Sequence, residues 1–171
     1  MQMSAGIAAT ISADVLVIAG LLKIGSLSSF GKQIASYEIM PGSLATLSGY
    51  IIPPIEVGIG ISLLFLPRVA TGAAFLFMSF ALAVGVNLLR GRSQLRCGCF
   101  GPSGKHTISP AHVVGNVGLS LLAIWVAVDN GRPSFLAFQI GTSLVFLAVL
   151  AQAWRAMPHL PAKERQEVAT R

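Results

Sequence analysis

The sequence predicts an all-α membrane protein, a bundle of about five transmembrane helices. Of its 171 residues, 54% are apolar and only 11% are charged, whereas about 25% are charged in an ordinary soluble domain. A bilayer core of about 30 Å is crossed by about 20 consecutive apolar residues in a helix. Five stretches of that length are present, at 5–27, 44–66, 69–89, 111–128 and 134–154.

The connections between these stretches are short, apart from two polar segments. The first stretch has no basic leader and no convincing cleavage site, so we expect a spanning helix and not a signal peptide. Residues 28–43 are too polar to span and are expected to lie at the membrane interface. A polar, glycine-rich loop follows the third stretch, and a basic tail, 155–171, ends the chain. We find no internal repeat, so we expect one polytopic membrane domain over 1–171.

The basic residues are distributed unequally between the two sides of the predicted bundle. The net charge is +6, but a nucleic-acid-binding face needs a soluble domain, for which this chain has no room. Because successive helices alternate in direction, the first loop, the third loop and the tail share one side. Ten of the twelve basic residues lie there, and the positive-inside rule would place that side in the cytoplasm. They are Lys23, Lys32, Arg90, Arg92, Arg96, Lys105, Arg155, Lys163, Arg165 and Arg171.

The most specific motif is Arg96-Cys97-Gly98-Cys99 in the third loop. Cysteines two residues apart can meet the Cα separation of a disulfide in a bent segment, and Gly98 allows the bend. So small a ring is strained, which is typical of catalytic or regulatory disulfides, and Arg96 would favour the reactive thiolate. Two alternatives stay open: a Cu(I) site formed by the two thiolates, and two unreactive loop cysteines.

Glu56 is predicted to face the bundle interior, because it lies about twelve residues into the second helix, near mid-bilayer. Its neighbours on the same helix face are Gly49, Pro53 and Gly60, which are small or kinked positions suited to helix packing. An ionisable residue at that depth is a functional candidate with a partner to be found. Lys23, one turn inside the first helix, is the partner we expect.

Further polar residues approach the same side of the membrane. Asn87 and Arg90 end the third helix, and His112 and Asn116 share a face of the fourth. We therefore expect a polar funnel beneath the cysteine loop, with these four residues as candidates to bind a cofactor and Cys97, Cys99, Arg96, Glu56 and Lys23 as candidate catalytic residues. No protein metal site is predicted from the histidines, whose spacing does not suit zinc. Asp14, near the middle of the first helix, has no expected partner.

These residues together resemble the MauE family of methylamine-utilisation membrane proteins, which are related to the DoxX group. The resemblance covers roughly residues 16–126, and its most specific part is the segment that contains both cysteines. Gly115 stands where an arginine is usual. The motifs are Lys23 with Phe30, Tyr37 and Pro41, then Pro53-Pro54-Ile55-Glu56, Asn87-Leu88-Leu89-Arg90-Gly91-Arg92, Cys97-Gly98-Cys99-Phe100-Gly101 and Asn116.

The resemblance implies a protein of the bacterial inner membrane that acts with a thioredoxin-like partner in the disulfide formation or maturation of a periplasmic dehydrogenase subunit. The arrangement also looks like that of quinone-linked helix bundles with a reactive cysteine pair, DsbB and vitamin K epoxide reductase. This chain lacks their second cysteine pair. A periplasmic role requires the third loop outside, whereas the basic residues favour the inside, and the sequence leaves both open.

Two functional hypotheses follow. In the first, the protein is a thiol–disulfide oxidoreductase, in which Cys97 and Cys99 cycle between dithiol and disulfide with a thioredoxin-like protein or a quinone. In the second, it is a non-catalytic membrane scaffold or assembly factor, whose CxC loop only docks a partner or holds metal. The sequence does not reveal the protein substrate, the electron acceptor or the oligomeric state.

Overall fold

The computed structural model describes residues 2–98, 107–129, 140, 142, 144 and 145. Over these residues the protein is all-helical, without a strand, as predicted. A short 3-10 turn, Pro67–Val69, connects α3 to α4. The helices are α1, Gln2–Ile24; α2, Leu27–Ser36; α3, Gly42–Leu63; α4, Ala70–Leu89; and α5, Pro110–Asp129.

Four of the described helical stretches are long and apolar enough to cross a membrane. They begin and end within a few residues of the first four predicted spans. The fifth predicted span, 134–154, and the tail, 155–171, lie outside the described residues, except that positions 140, 142, 144 and 145 are helical. The candidate spans are Ser4–Ile24, Gly42–Leu63, Pro67–Leu89 and Pro110–Asp129.

Most of α2, a short amphipathic helix that follows α1 after a turn, lies in the polar segment 28–43. Phe30, Gly31 and Tyr37 are buried on one side of this segment, whereas Ser29 and Lys32 are exposed on the other. Such a division between apolar and polar faces is typical of a helix that lies in the membrane interface, which is where the sequence places it.

Close packing of α1 against α3 depends on small residues. A Cβ atom on Gly60 of α3 would lie 2.8 Å from Val17 Cγ2 and 2.9 Å from the Ala13 carbonyl oxygen in α1. Gly20 of α1 packs equally tightly against α3. Gly60 is on the buried face of α3 with Gly49, Pro53 and Glu56. The predicted inward face of this helix is therefore confirmed.

The larger apolar core lies at the end of the bundle away from α2 and the third loop. Small side chains of α1, such as Ala9 and Ala13, pack there with Phe77 of α4 and Ala123 of α5. Ser120 Oγ donates a hydrogen bond to the Ala74 carbonyl oxygen at 3.0 Å and so ties α5 to α4. At the other end, where α1 and α4 end and α3 and α5 begin, the polar groups and a cavity are found.

Candidate functional site

A buried ion pair joins α1 to α3 beneath the third loop. Lys23 Nζ lies 2.6 Å from Glu56 Oε1, and the two side chains are 2% and 1% exposed. The pair forms because Gly20, one turn before Lys23, lets α1 approach Pro53 and Glu56 of α3 closely. The predicted pairing of Glu56 with Lys23 is thus present in the structure. Glu56 Oε2 has no hydrogen-bond partner among the described residues.

Two aromatic rings also lie close to the Lys23 ammonium group. Its nitrogen lies 5.2 Å from the centre of the Phe30 ring and 5.0 Å from that of the Phe80 ring. Both distances fall within the range of cation–π attraction, which is stronger for a desolvated cation. Phe80 was not singled out from the sequence, because nothing distinguishes one phenylalanine of α4 from its lipid-facing neighbours.

The base of the cysteine loop is closed by backbone pairing. Arg96 and Thr107 form an isolated antiparallel bridge, and the Ile108 amide donates to the Leu95 carbonyl oxygen at 2.8 Å. Cys97 follows directly, is half-buried and is not a free thiol. Cys99 lies outside the described residues, so its role and reversible bonding remain a prediction.

Tyr37, at the end of α2, holds the start of the cysteine loop. Its hydroxyl lies 3.0 Å from both the Arg96 and the Cys97 carbonyl oxygens and donates to them. Burial raises the pKa of the Tyr37 phenol to about 12, so the hydroxyl keeps its proton and remains a donor across the physiological range. Tyr37 entered the sequence analysis only through the family resemblance, and the structure gives it a specific contact.

Two features of the loop require glycine at position 98, where the loop packs against Gln33 of α2. The φ of Gly98 is +64°, a conformation that residues with a Cβ rarely adopt. A Cβ atom at this position would also lie 2.5 Å from Gln33 Oε1. That oxygen is buried and has no hydrogen-bond partner among the described residues. Gln33 was not predicted as a site residue, although its spacing from Phe30 and Tyr37 places all three on one side of α2.

A cavity of about 350 Å³ lies between α2, α4 and the cysteine loop. It brings Lys23 and Cys97 together on the wall of one space. Most of the remaining wall is apolar, so the structure differs from the polar funnel that the sequence predicted. The lining residues include Lys23, Phe30, Gln33, Ile34, Tyr37, Ile39, Met40, Ile52, Ser79, Phe80, Leu82, Ala83, Val84, Val86, Cys97 and Gly98.

The four candidate cofactor-binding residues are not among the residues that line this cavity. The Asn87 amide donates to the Ala83 carbonyl oxygen at 3.0 Å, and the Asn116 amide donates to that of His112 at 2.8 Å. At the start of α5, the Ser109 amide donates to His112 Nδ1 at 3.1 Å. These groups bond to the local backbone because it offers the nearest polar partners in an apolar bundle, whereas Asn87 Oδ1 is buried without a hydrogen-bond partner among the described residues. Their part in cofactor binding remains a prediction.

The arginines of the third loop dock it onto the first. Arg92 pairs with Glu38 at 2.9 Å and donates to the Ser36 carbonyl oxygen at 3.2 Å, whereas Arg90 donates to the Glu38 carbonyl oxygen at 3.2 Å. The Arg96 side chain is exposed. These contacts place the two loops at the same end of the helix bundle, and the side of the membrane on which they lie remains a prediction.

Asp14 remains without an assigned role. It is half-buried in α1, and its Oδ2 has no hydrogen-bond partner among the described residues.

Four candidate spans, with the short amphipathic helix α2 packed beside them, define a multi-pass helical membrane protein. The family model for the methylamine utilisation protein MauE matches residues 1–129. The chain belongs to this family, as its motifs indicated.

Curated relatives agree with this assignment. The chain is 30% identical over 123 residues to a MauE protein of Paracoccus denitrificans, covering 70% of this chain and 65% of that protein, which is less than two thirds of its length. It is 30% identical over 161 residues to a MauE protein of Methylophilus methylotrophus, and the match covers 89% of this chain and 84% of that protein. A third MauE protein, from Methylorubrum extorquens, is 31% identical over 117 residues, and the match covers 66% of this chain and 62% of that protein. No solved structure matches the chain.

Proposed function

We propose that the protein is a thiol–disulfide oxidoreductase of the bacterial inner membrane that acts in methylamine utilisation. Cys97 and Cys99 cycle between dithiol and disulfide, and the cycle supports disulfide formation or maturation of a partner protein such as a methylamine dehydrogenase subunit. A thioredoxin-like protein or a quinone exchanges electrons with the pair. The utilisation of methylamine is the role that the names of the relatives state.

The observation that carries the proposal is the position of Cys97. Cys97 lines a cavity that the buried Lys23 also lines, and it is not a free thiol. The loop around it is fixed by the Tyr37 hydroxyl and by the fit of Gly98 against Gln33. A loop that only joined two helices would need none of these contacts, whereas a redox pair benefits from a rigid support.

The two residues of the buried ion pair have distinct proposed roles, and only Lys23 lines the cavity. The Lys23 ammonium group, desolvated and close to the cavity, stabilises a thiolate that forms at Cys97, since a nearby cation favours the attacking species. Glu56 keeps Lys23 charged and oriented through the 2.6 Å contact. Arg96, adjacent in sequence, adds positive charge on the exposed side of the loop.

Thiol trapping tests the proposal. A mass-tagged maleimide added to the denatured wild-type protein, before and after reduction, is expected to show two tags gained together. Cys97→Ser and Cys99→Ser are the matched controls, and each should carry a single tag under both conditions. If both wild-type cysteines are labelled under every redox condition, the proposal is wrong.

A non-catalytic assembly factor is the second candidate, and the cysteine count favours it. The chain has only two cysteines, so it cannot relay electrons through a second pair of its own. If Cys97→Ala/Cys99→Ala still supports maturation of the dehydrogenase in cells, the protein acts as a scaffold.

A further inference from the structure

The cavity beside Cys97 has the shape and lining of a site for a membrane-soluble molecule. Its volume of about 350 Å³ falls in the range of small-molecule sites, which are mostly apolar with a few placed polar groups. Leu82 lines the cavity and is 61% exposed, so the space reaches the lipid-facing surface. Leu82 lies about 10 Å along α4 from its end at Leu89, at 1.5 Å per residue. A molecule that enters there comes from within the bilayer.

Two buried polar groups on the wall are available to such a molecule. The Lys23 ammonium has three N–H donors, and its contact with Glu56 is the one hydrogen bond that the structure gives it among the described residues. Gln33 Oε1 is a buried acceptor without a partner among those residues. A lipid acyl chain would leave both groups unsatisfied, whereas a molecule with ring oxygens could accept from Lys23 and donate to Gln33.

We infer that the cavity binds the head group of a membrane quinone, which accepts the electrons of the Cys97–Cys99 dithiol. This inference rests on the proposed redox function. A quinone carbonyl accepts a hydrogen bond from Lys23, and the hydroquinone formed by reduction donates one to Gln33. The apolar tail of the quinone leaves the cavity past Leu82 into the lipid.

The electron transfer is balanced without another reactant. The two thiols lose two electrons and two protons as the S–S bond forms. The quinone ring takes up the same two electrons and two protons and becomes the hydroquinone. Cys97 lines the cavity, so the proposed transfer takes place between this residue and a ring bound beside it, and the hydroquinone then returns to the bilayer.

Equilibrium binding of two probes to the full chain in lipid nanodiscs tests the site. Decylubiquinone carries ring oxygens, and decylbenzene has a tail of the same length without them. The double variant Lys23→Met/Glu56→Gln removes the ammonium and leaves no unpaired charge. It should weaken decylubiquinone binding roughly tenfold to a hundredfold, the worth of a hydrogen bond to a charged donor. Its decylbenzene binding should be unchanged.

A matched pair of substitutions tests the location. Val86→Phe reduces the space of the cavity, because Val86 lines it, and should weaken binding of both probes at least tenfold. Val114→Phe makes the same change at a position of α5 that is 71% exposed and should leave both affinities unchanged. Equal effects of the two substitutions would overturn the proposed location.

The final arms separate this inference from the proposed function. Cys97→Ser/Cys99→Ser should still bind decylubiquinone, and the prereduced wild type should convert one equivalent to the hydroquinone. Absence of quinone binding in a wild type whose cysteines still cycle with dithiothreitol would overturn the inference alone. Quinone binding without electron transfer from the reduced wild type would overturn the acceptor role.

Discussion

Breaking the Lys23–Glu56 pair from either side should destabilise the protein unequally. Lys23→Met leaves the Glu56 carboxylate 1% exposed, with Oε1 deprived of its partner and Oε2 already lacking one among the described residues. Removal of one member of a buried ion pair costs about 3–5 kcal/mol, and we expect this variant to fall in that range. Glu56→Gln leaves an ammonium group that keeps Phe30 and Phe80 near it. Because a desolvated cation–π contact is worth about 2 kcal/mol, the loss should be smaller, about 1–3 kcal/mol.

The double variant Lys23→Met/Glu56→Gln shows whether the loss of stability in the single variants comes from an unpaired charge or from altered packing. It contains no unpaired charge, and buried pairs replaced by neutral groups of similar size are often close to neutral in stability. We expect it to be more stable than Lys23→Met. Reversible unfolding of the wild type and the three variants in mixed detergent micelles measures the free energies of unfolding and yields the coupling energy of the pair. If the double variant loses the sum of the two single losses, the pair contributes no coupling and this reasoning is refuted.

Three further perturbations test the support of the cysteine loop and its sidedness. Tyr37→Phe removes the donor to two carbonyl oxygens and should cost about 1–2 kcal/mol, seen as faster amide exchange in the loop. The pKa of Tyr37 is raised from 10.0 to about 12. The contribution of its hydroxyl to the free energy of unfolding is therefore complete below pH 10 and should be lost as the pH rises through 12. The Tyr37→Phe variant should not show this loss. Gly98→Ala should destabilise the loop more than Gly91→Ala, because both have positive φ but only Gly98 lies against a side chain; equal losses would contradict this. Reporter fusions at Lys32 and Lys105 should give the same side of the membrane, and opposite sides would overturn the helix arrangement.

The features that follow from hydrophobic length and small-residue patterns could be predicted from the sequence. The four described spans follow from apolar length, and the inward direction of Glu56 follows from the glycines and proline on its face. The pairing of Glu56 with Lys23 follows from the position of both charges within membrane-spanning helices, since a charged group there needs a partner. The position of the first and third loops at the same end of the bundle follows from the alternation of helices.

The lining of the cavity could not be predicted, because it depends on side-chain choices between competing partners. Asn87 and Asn116 have polar side chains that could point into a cavity or back to their own helices, and they donate to carbonyl oxygens four residues earlier. Gln33 belongs to α2, an amphipathic helix whose sequence pattern does not distinguish this glutamine from other polar residues. Its contact with Gly98 exists only because the third loop folds back onto α2, which no local pattern shows.

Some of the basic residues at the cysteine-loop end of the bundle have structural contacts that explain their presence there. Lys23 is buried with Glu56, and Arg92 pairs with Glu38 and caps the end of α2. These residues fix the fold of the site, so their number is a weaker guide to orientation than a count of free loop charges would be. A periplasmic cysteine loop is therefore compatible with the basic residues around it.

A redox titration of the wild-type protein tests the reactive pair most directly. The protein is equilibrated with mixtures of reduced and oxidised dithiothreitol, quenched in acid and trapped with mass-tagged maleimide. We expect only untagged and doubly tagged species, which interconvert in a single transition. The ratio of doubly tagged to untagged protein should change tenfold for about every 30 mV, as a two-electron couple requires. A singly tagged species at intermediate potentials, or two tags at every potential, would contradict a Cys97–Cys99 redox couple.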